Sequence, residues 1–186
     1  MTIKNYLIVL LATLLIASTV QVHAFTKDDL KSYSLDKLFS LLQKETDGDQ
    51  ARLIEGEIWE KWLKAESDDI DYLMNDAFQF RREYNFELAI QSLNDIIQRV
   101  PHYSEAWNQR AIVYFYQGKP KLALKDIDKA LELEPRHFGA LAGKAVIHLQ
   151  LEEFELAKKS IKKALAIHPF IPEVQLFPDL DRLSKP

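Results

Sequence analysis

Three prolines spaced 34 residues apart, Pro101, Pro135 and Pro169, constrain this chain more than anything else in it. The same interval separates Ala89, Ala123 and Ala157, and again Ala77, Ala111 and Ala145. Leu73, Trp107 and Leu141 repeat it, as do Phe80, Tyr114 and His148, and Leu93, Ile127 and Ile161. Six columns in register across three copies define a repeat array. In such an array one unit cannot bury both of its faces alone, so the units must stack.

Each copy reads as a pair of amphipathic helices closed by a proline turn. In the middle copy a helix over 106–117 breaks at Gly118-Lys119-Pro120 and a second runs over 121–134. Leu122, Ile127, Ala130, Leu131 and Leu133 recur in that second helix at helical spacing, with Ala123 starting the buried stripe. Ala111 and Ala123 mark where the two helices approach too closely for a larger side chain. Trp107, Tyr114 and Ile127 fill the space between them and the next unit. The proline after Leu131-Glu132-Leu133-Glu134 stops the second helix and sets the following turn.

Trp107, Ala111, Tyr114, Ala123, Ile127, Ala130 and Pro135, in that order and at this period, resemble the tetratricopeptide repeat (TPR) family. The best copy is 104–137, which departs from the family pattern at Arg110 and Pro120. The copy at 70–103 keeps Ala77 and Ala89 but has Tyr84 where glycine is usual and Ile96 where alanine is. The copy at 138–171 carries His148 in the aromatic column and Glu152 at the glycine position. The phrase ALELEPRHFGAL, beginning at Ala130, is similar to that of small signal-bearing TPR proteins of alphaproteobacteria. The resemblance implies an all-α, right-handed solenoid of three helical hairpins. A helical N-terminal cap would occupy 25–69 and a short C-terminal cap 172–186, the latter interrupted by Pro178.

Within the N-terminal cap, a helix over 34–43 takes Ser34 as its N-cap, and a second helix runs over 50–64. Between them Thr46-Asp47-Gly48-Asp49 is read as a plain turn. Its short acidic string suggests a calcium loop, but Ala51 and Arg52 stand where oxygen ligands and glycine belong. We read the pair as a degenerate hairpin closing the open end of the stack. Its Trp59 and Trp62 offer a second possibility, that this hairpin, or the tail from Phe170 to Phe177, fills the solenoid's own groove.

Residues 1–24 read as an address. Lys4 is followed by an uncharged, mostly apolar run from Tyr6 to Val20, and Val22-His23-Ala24 suits a signal-peptidase site before Phe25. The expectation is a periplasmic or secreted protein; the alternative is an uncleaved N-terminal membrane anchor. With no cysteine in 186 residues, disulfides, thiolate metal sites, a cysteine nucleophile and a lipid-anchored lipoprotein are excluded. Packing alone must hold the exported domain. A net charge of −4, without a basic block, argues against nucleic acid as partner.

The sequence carries no phosphate loop, nucleophile elbow, zincin helix or dinucleotide turn, so no catalytic residue, cofactor or metal is assigned. His102, His137 and His168 fall at the three inter-unit prolines and are read as exposed loop residues, and His148 as a buried, hydrogen-bonded aromatic substitute. Paired carboxylates such as Asp126 and Asp128 are read as solvated helix surface. Function is placed instead on the concave wall that the TPR resemblance implies. Its candidate residues are Met74, Phe78 and Arg81 in the first unit, Asn108, Ile112 and Phe115 in the second, and Ala142, Val146 and Leu149 in the third. Family members that clamp a peptide carboxylate need Lys, Asn and Arg there, and this chain supplies one Asn and one Arg. The expected function is therefore a protein-interaction scaffold with an apolar groove for another protein's segment or helix, monomeric or weakly oligomeric. A structural, self-associating envelope protein is the alternative. Gly139 and Gly143, one turn apart, pose a sharper question: close helix packing, or a slot for a ligand side chain.

Overall fold

The computed structural model describes residues 25–178, and the expected address over 1–24 and the end of the C-terminal cap, 179–186, lie outside them. Within that span nine α-helices are followed by one 3-10 turn, Pro172–Leu176. Helices α4 (Asp68–Arg82) and α5 (Phe86–Arg99) form the first hairpin. The second pairs α6 (Ser104–Tyr116) with α7 (Pro120–Leu133), and the third pairs α8 (Phe138–Gln150) with α9 (Phe154–Ile167).

The columns found by spacing are the places where these helices touch. Ala77, Ala111 and Ala145, and Ala89, Ala123 and Ala157, are all buried, as are Leu93, Ile127 and Ile161. Pro120 opens α7, where its missing N–H would have had no helical partner. Tyr84, Gly118 and Glu152 close the three hairpins, and all three adopt positive φ. Arg110, the departure from the family pattern, reaches across its hairpin to hold Asp126 with two bonds of 2.7 and 2.8 Å. Asp126 is therefore buried and paired, not the solvated surface group expected of it. His148 is buried and bonded to Glu153, as read from its column.

The N-terminal segment forms three helices, α1 (Lys27–Lys31), α2 (Leu35–Leu42) and α3 (Gly48–Leu63). Thr26 and Asp29 make a capping box for α1, Ser34 caps α2 and Asp47 caps α3. The Thr46–Asp49 string is thus a helix start. Its apolar face does not close the open end beside the first unit. Leu38, Phe39, Ile54, Ile58 and Trp62 share one core with Phe138, Leu141, Ala142, Ile161 and Ile171 of the third unit. Gln43 donates to the Ala166 carbonyl at 2.9 Å, and Arg136 both bonds Asp36 and lies 4.3 Å from the Phe39 ring. Tyr103 donates to the Leu63 carbonyl at 2.8 Å, tying the end of α3 to the turn before α6. The second possibility raised by Trp59 and Trp62 holds in part: the hairpin folds back over the third unit without filling the groove. The physical reason is apolar area, since two tryptophans and Phe39 find their complement in Phe138 and its neighbours.

Candidate partner-binding groove

The first helices of the three units, α4, α6 and α8, supply the nine candidate groove residues, and burial divides these into rows. Met74, Asn108 and Ala142, one per unit, are buried. Phe78, Ile112 and Val146 form a half-buried second row, and Arg81, Phe115 and Leu149 a third. The expected nine-residue wall is thus reduced to six residues with accessible surface. The inner row is closed by the chain itself.

At the third unit closure is the work of α3, which shares a core with Ala142, whereas Met74 is buried in the first unit's own core. Trp62 stacks on His137, ring centroids 4.2 Å apart and 17° from parallel, while Trp59 meets Phe138 edge-on at 5.4 Å. A Cβ built on Gly139 would lie 2.7 Å from Trp59 Cη2, so only glycine admits that ring. Gly143, one turn further on, has Ile127 Cδ1 at 3.8 Å as its nearest neighbour. The two glycines therefore have different reasons: Gly139 is a packing contact, and Gly143 has room for a methyl against Ile127.

Beneath the tryptophans lies a polar network that sequence spacing did not reveal. His137 and Glu105 are both fully buried, with His137 Nε2 2.7 Å from Glu105 Oε2. His137 Nδ1 accepts from the Ala140 N–H at 3.2 Å and caps α8, which assigns the ring proton to Nε2 as donor to the carboxylate. Gln109 donates to Glu105, Asn108 donates at 3.3 Å, and Arg81 donates to the Gln109 side-chain oxygen. Burial lowers the Arg81 guanidinium from its ordinary value. His168 is likewise buried, 3.2 Å from Glu55. The neighbouring His168 holds the Glu55 carboxyl below its ordinary value, with burial opposing it. Of the three junction histidines only His102, bonded to Glu66, is the exposed loop residue expected; His137 and His168 are interior. Their partners lie 32 and 113 residues away, beyond the reach of a local pattern. No cluster of three metal-ligating side chains occurs among the described residues.

What remains open is an apolar cavity of about 270 Å³ between α6 and α8, lined by Ile112, Phe115, Ile127, Gly143, Val146 and others. Glu173, from the 3-10 turn after α9, also reaches it. A second, wider cavity of about 690 Å³ shares Ile112 and Tyr116 with the first and adds Arg81, Arg82, Tyr84 and Phe86. Phe86 and Tyr116 stack there, 6.1 Å apart and 9° from parallel. Together the two make one continuous trough, apolar in the middle and basic at the first unit.

Tetratricopeptide-repeat family models match residues 104–137 and 138–170. A TPR repeat-containing protein of Rhizobium etli is 38% identical over 84 residues, a match spanning 45% of this chain and 41% of that protein, less than half of either. Among solved structures, the first TPR of Spaghetti (RPAP3), bound to the HSP90 peptide SRMEEVD, superposes with a TM-score of 0.58 at 21% identity, covering 64% of this chain and 94% of that one. The Sgt2 TPR domain of Aspergillus fumigatus gives 0.57 at 15% identity, over 66% and 87% of the two chains. The TPR2B domain of yeast Sti1, in complex with pHsp70, gives 0.55 at 18%, over 63% and 94%. The repeat columns, the hairpin stack and these matches agree that residues 104–170 are tetratricopeptide repeats.

Proposed function

We propose that this protein is an exported interaction scaffold that takes a segment or helix of another protein in the open half of its groove. The carrying observation is the apolar trough between α6 and α8, which stays open although α3 has sealed Ala142 beside it. Apolar side chains without a partner at a concave surface mark a docking site. Solved TPR relatives of this fold hold HSP90 and HSP70 peptides. The ligand class here differs from a C-terminal carboxylate. Asn108 is turned onto Glu105, and Arg81 onto Gln109, so neither is free to clamp an acid. Affinity in the micromolar range suits a groove of this size with few fixed polar anchors.

Export is supported by the address-like residues 1–24, and the mass of the protein recovered from cell envelopes tests it: loss of 24 residues fits a periplasmic or secreted product, and retention fits the anchor. The groove is tested by capture from envelope extract with wild type beside Phe115→Asp/Val146→Asp, both shown equally helical by circular dichroism. Partners held by wild type and lost by the variant support the scaffold; equal capture by both rejects it. Self-association is the second reading. It draws on Leu88, Leu122 and Leu156, one repeat apart and 39%, 44% and 48% exposed on the second helices. A mass in solution that rises with concentration favours it.

A further inference from the structure

One polar atom in the apolar cavity lacks an explanation. Glu173 Oε2 is shielded from solvent and has no hydrogen-bond partner among the described residues. It belongs to a side chain that lines the cavity beside Gly143 and Val146. A carboxylate oxygen removed from water without a donor is costly, so such atoms are normally paired. The opposite end of the trough carries Arg81 and Arg82. The groove is therefore charged at both ends, negative at the third unit and positive at the first, around an apolar middle.

On the groove reading above, we infer that the bound partner is a peptide segment with an apolar anchor for the Gly143 slot and, beside it, a lysine or arginine that pairs with Glu173. At about 270 Å³ the cavity holds one or two side chains, not a cofactor-sized molecule. A cation brought to Glu173 gains a charge-assisted hydrogen bond in a partly dry setting, where such bonds are strongest. A segment with an acid at that place meets like charge and is rejected. The partner's own acidic residue, where present, falls at Arg82, since Arg81 is held by Gln109.

The test uses the full chain and three fluorescein-labelled probes, each with three leucines. One probe is flanked by glutamine on both sides, one by lysine on one side and glutamate on the other, and one by glutamate on both. Fluorescence anisotropy should give a Kd about tenfold lower for the lysine probe than for the glutamine probe, with the all-glutamate probe weakest. Glu173→Gln should abolish the lysine preference, and rising salt should shrink it in wild type. Gly143→Leu should prevent binding of every probe with its melting temperature kept; Val146→Asp serves the same purpose where Gly143→Leu melts early. Equal binding of the lysine and glutamine probes, still lost in Gly143→Leu, would overturn the cation preference and leave the groove standing. Binding indifferent to both groove variants would overturn the groove as well. Arg182 and Lys185 of this chain are a rival cation source. Were Arg182→Gln/Lys185→Gln to tighten the lysine probe about tenfold, the Glu173 site would belong to the chain's own tail and the partner assignment would fall.

Discussion

Tyr84, Gly118 and Glu152 hold the same place in three hairpins, with φ of 58°, 69° and 60°. Only the middle one is the residue that conformation favours, since a side chain in the left-handed region costs about 1–2 kcal/mol. Glu152→Gly should therefore raise stability by about 1 kcal/mol, read as a higher urea midpoint with unchanged slope. Tyr84→Gly should gain less, because the ring it removes packs edge-on against Phe86 at 6.1 Å. The glycine pair in α8 makes a second prediction of opposite signs. Gly139→Ala drives a methyl into Trp59 and should cost about 1–3 kcal/mol. Gly143→Ala has room and should gain up to about 1 kcal/mol from helix propensity. Thermal melts of the two variants should move in opposite directions. The sequence showed that both glycines needed a reason; which reason belonged to which depended on a tryptophan 80 residues earlier.

Among the elements, α3 is the one whose position the repeat pattern could not reveal. Periodicity specifies what a helix buries against its neighbours in the array, and so it placed α4 to α9 to within a few residues. Helix α3 stands outside the period, and its docking partners are Phe138, His137 and His168. Glu55 joins that docking through both His168 and the Trp59 indole N–H, 3.3 Å away. Its carboxyl is lowered in the folded state, so its stabilisation is present above the ordinary glutamate value of about 4.3 and is lost as pH falls through the lowered value. Urea midpoints measured between pH 7 and pH 3 should fall less steeply in Glu55→Gln than in wild type. The buried Glu105–His137 pair is a separate contribution. His137→Ala takes one donor from the buried Glu105 carboxylate and should cost about 3 kcal/mol, seen in the same denaturation series.

For the molecule as a whole, an array of repeats is close to one-dimensional: each unit feels its neighbours and little else. This chain departs from that, because its N-terminal helices share a core with the last unit while the first unit has its own. Trp62→Ala, a loss of about 3–5 kcal/mol by the cost of emptying an aromatic site, should accordingly weaken α8 and α9 more than α4 and α5. Hydrogen exchange read by mass spectrometry would show it as faster exchange in 138–167 with 68–99 little changed. The placing of the candidate residues on the first helix of each unit was legible for the same reason that the repeats were. Ile112, Phe115 and Val146 line the trough because the period puts them there, whereas Phe78 packs on the first unit's core. The sealing of Ala142 was not legible, nor was Glu173, since each depends on segments outside the repeats.

The bond from Gln43 to the Ala166 carbonyl spans 123 residues. On a ribosome, α2 and α3 emerge well before the α8 and α9 surface that they cover. Each repeat can zip onto its predecessor as it appears, but the opening helices must wait with Trp59, Trp62 and Phe39 uncovered until α9 is complete. Long-range closure of this kind is slow and leaves sticky surface exposed meanwhile. The nascent chain is therefore the form of this protein most in need of a chaperone, and a truncation before α9 should yield an aggregating product in place of a shorter solenoid.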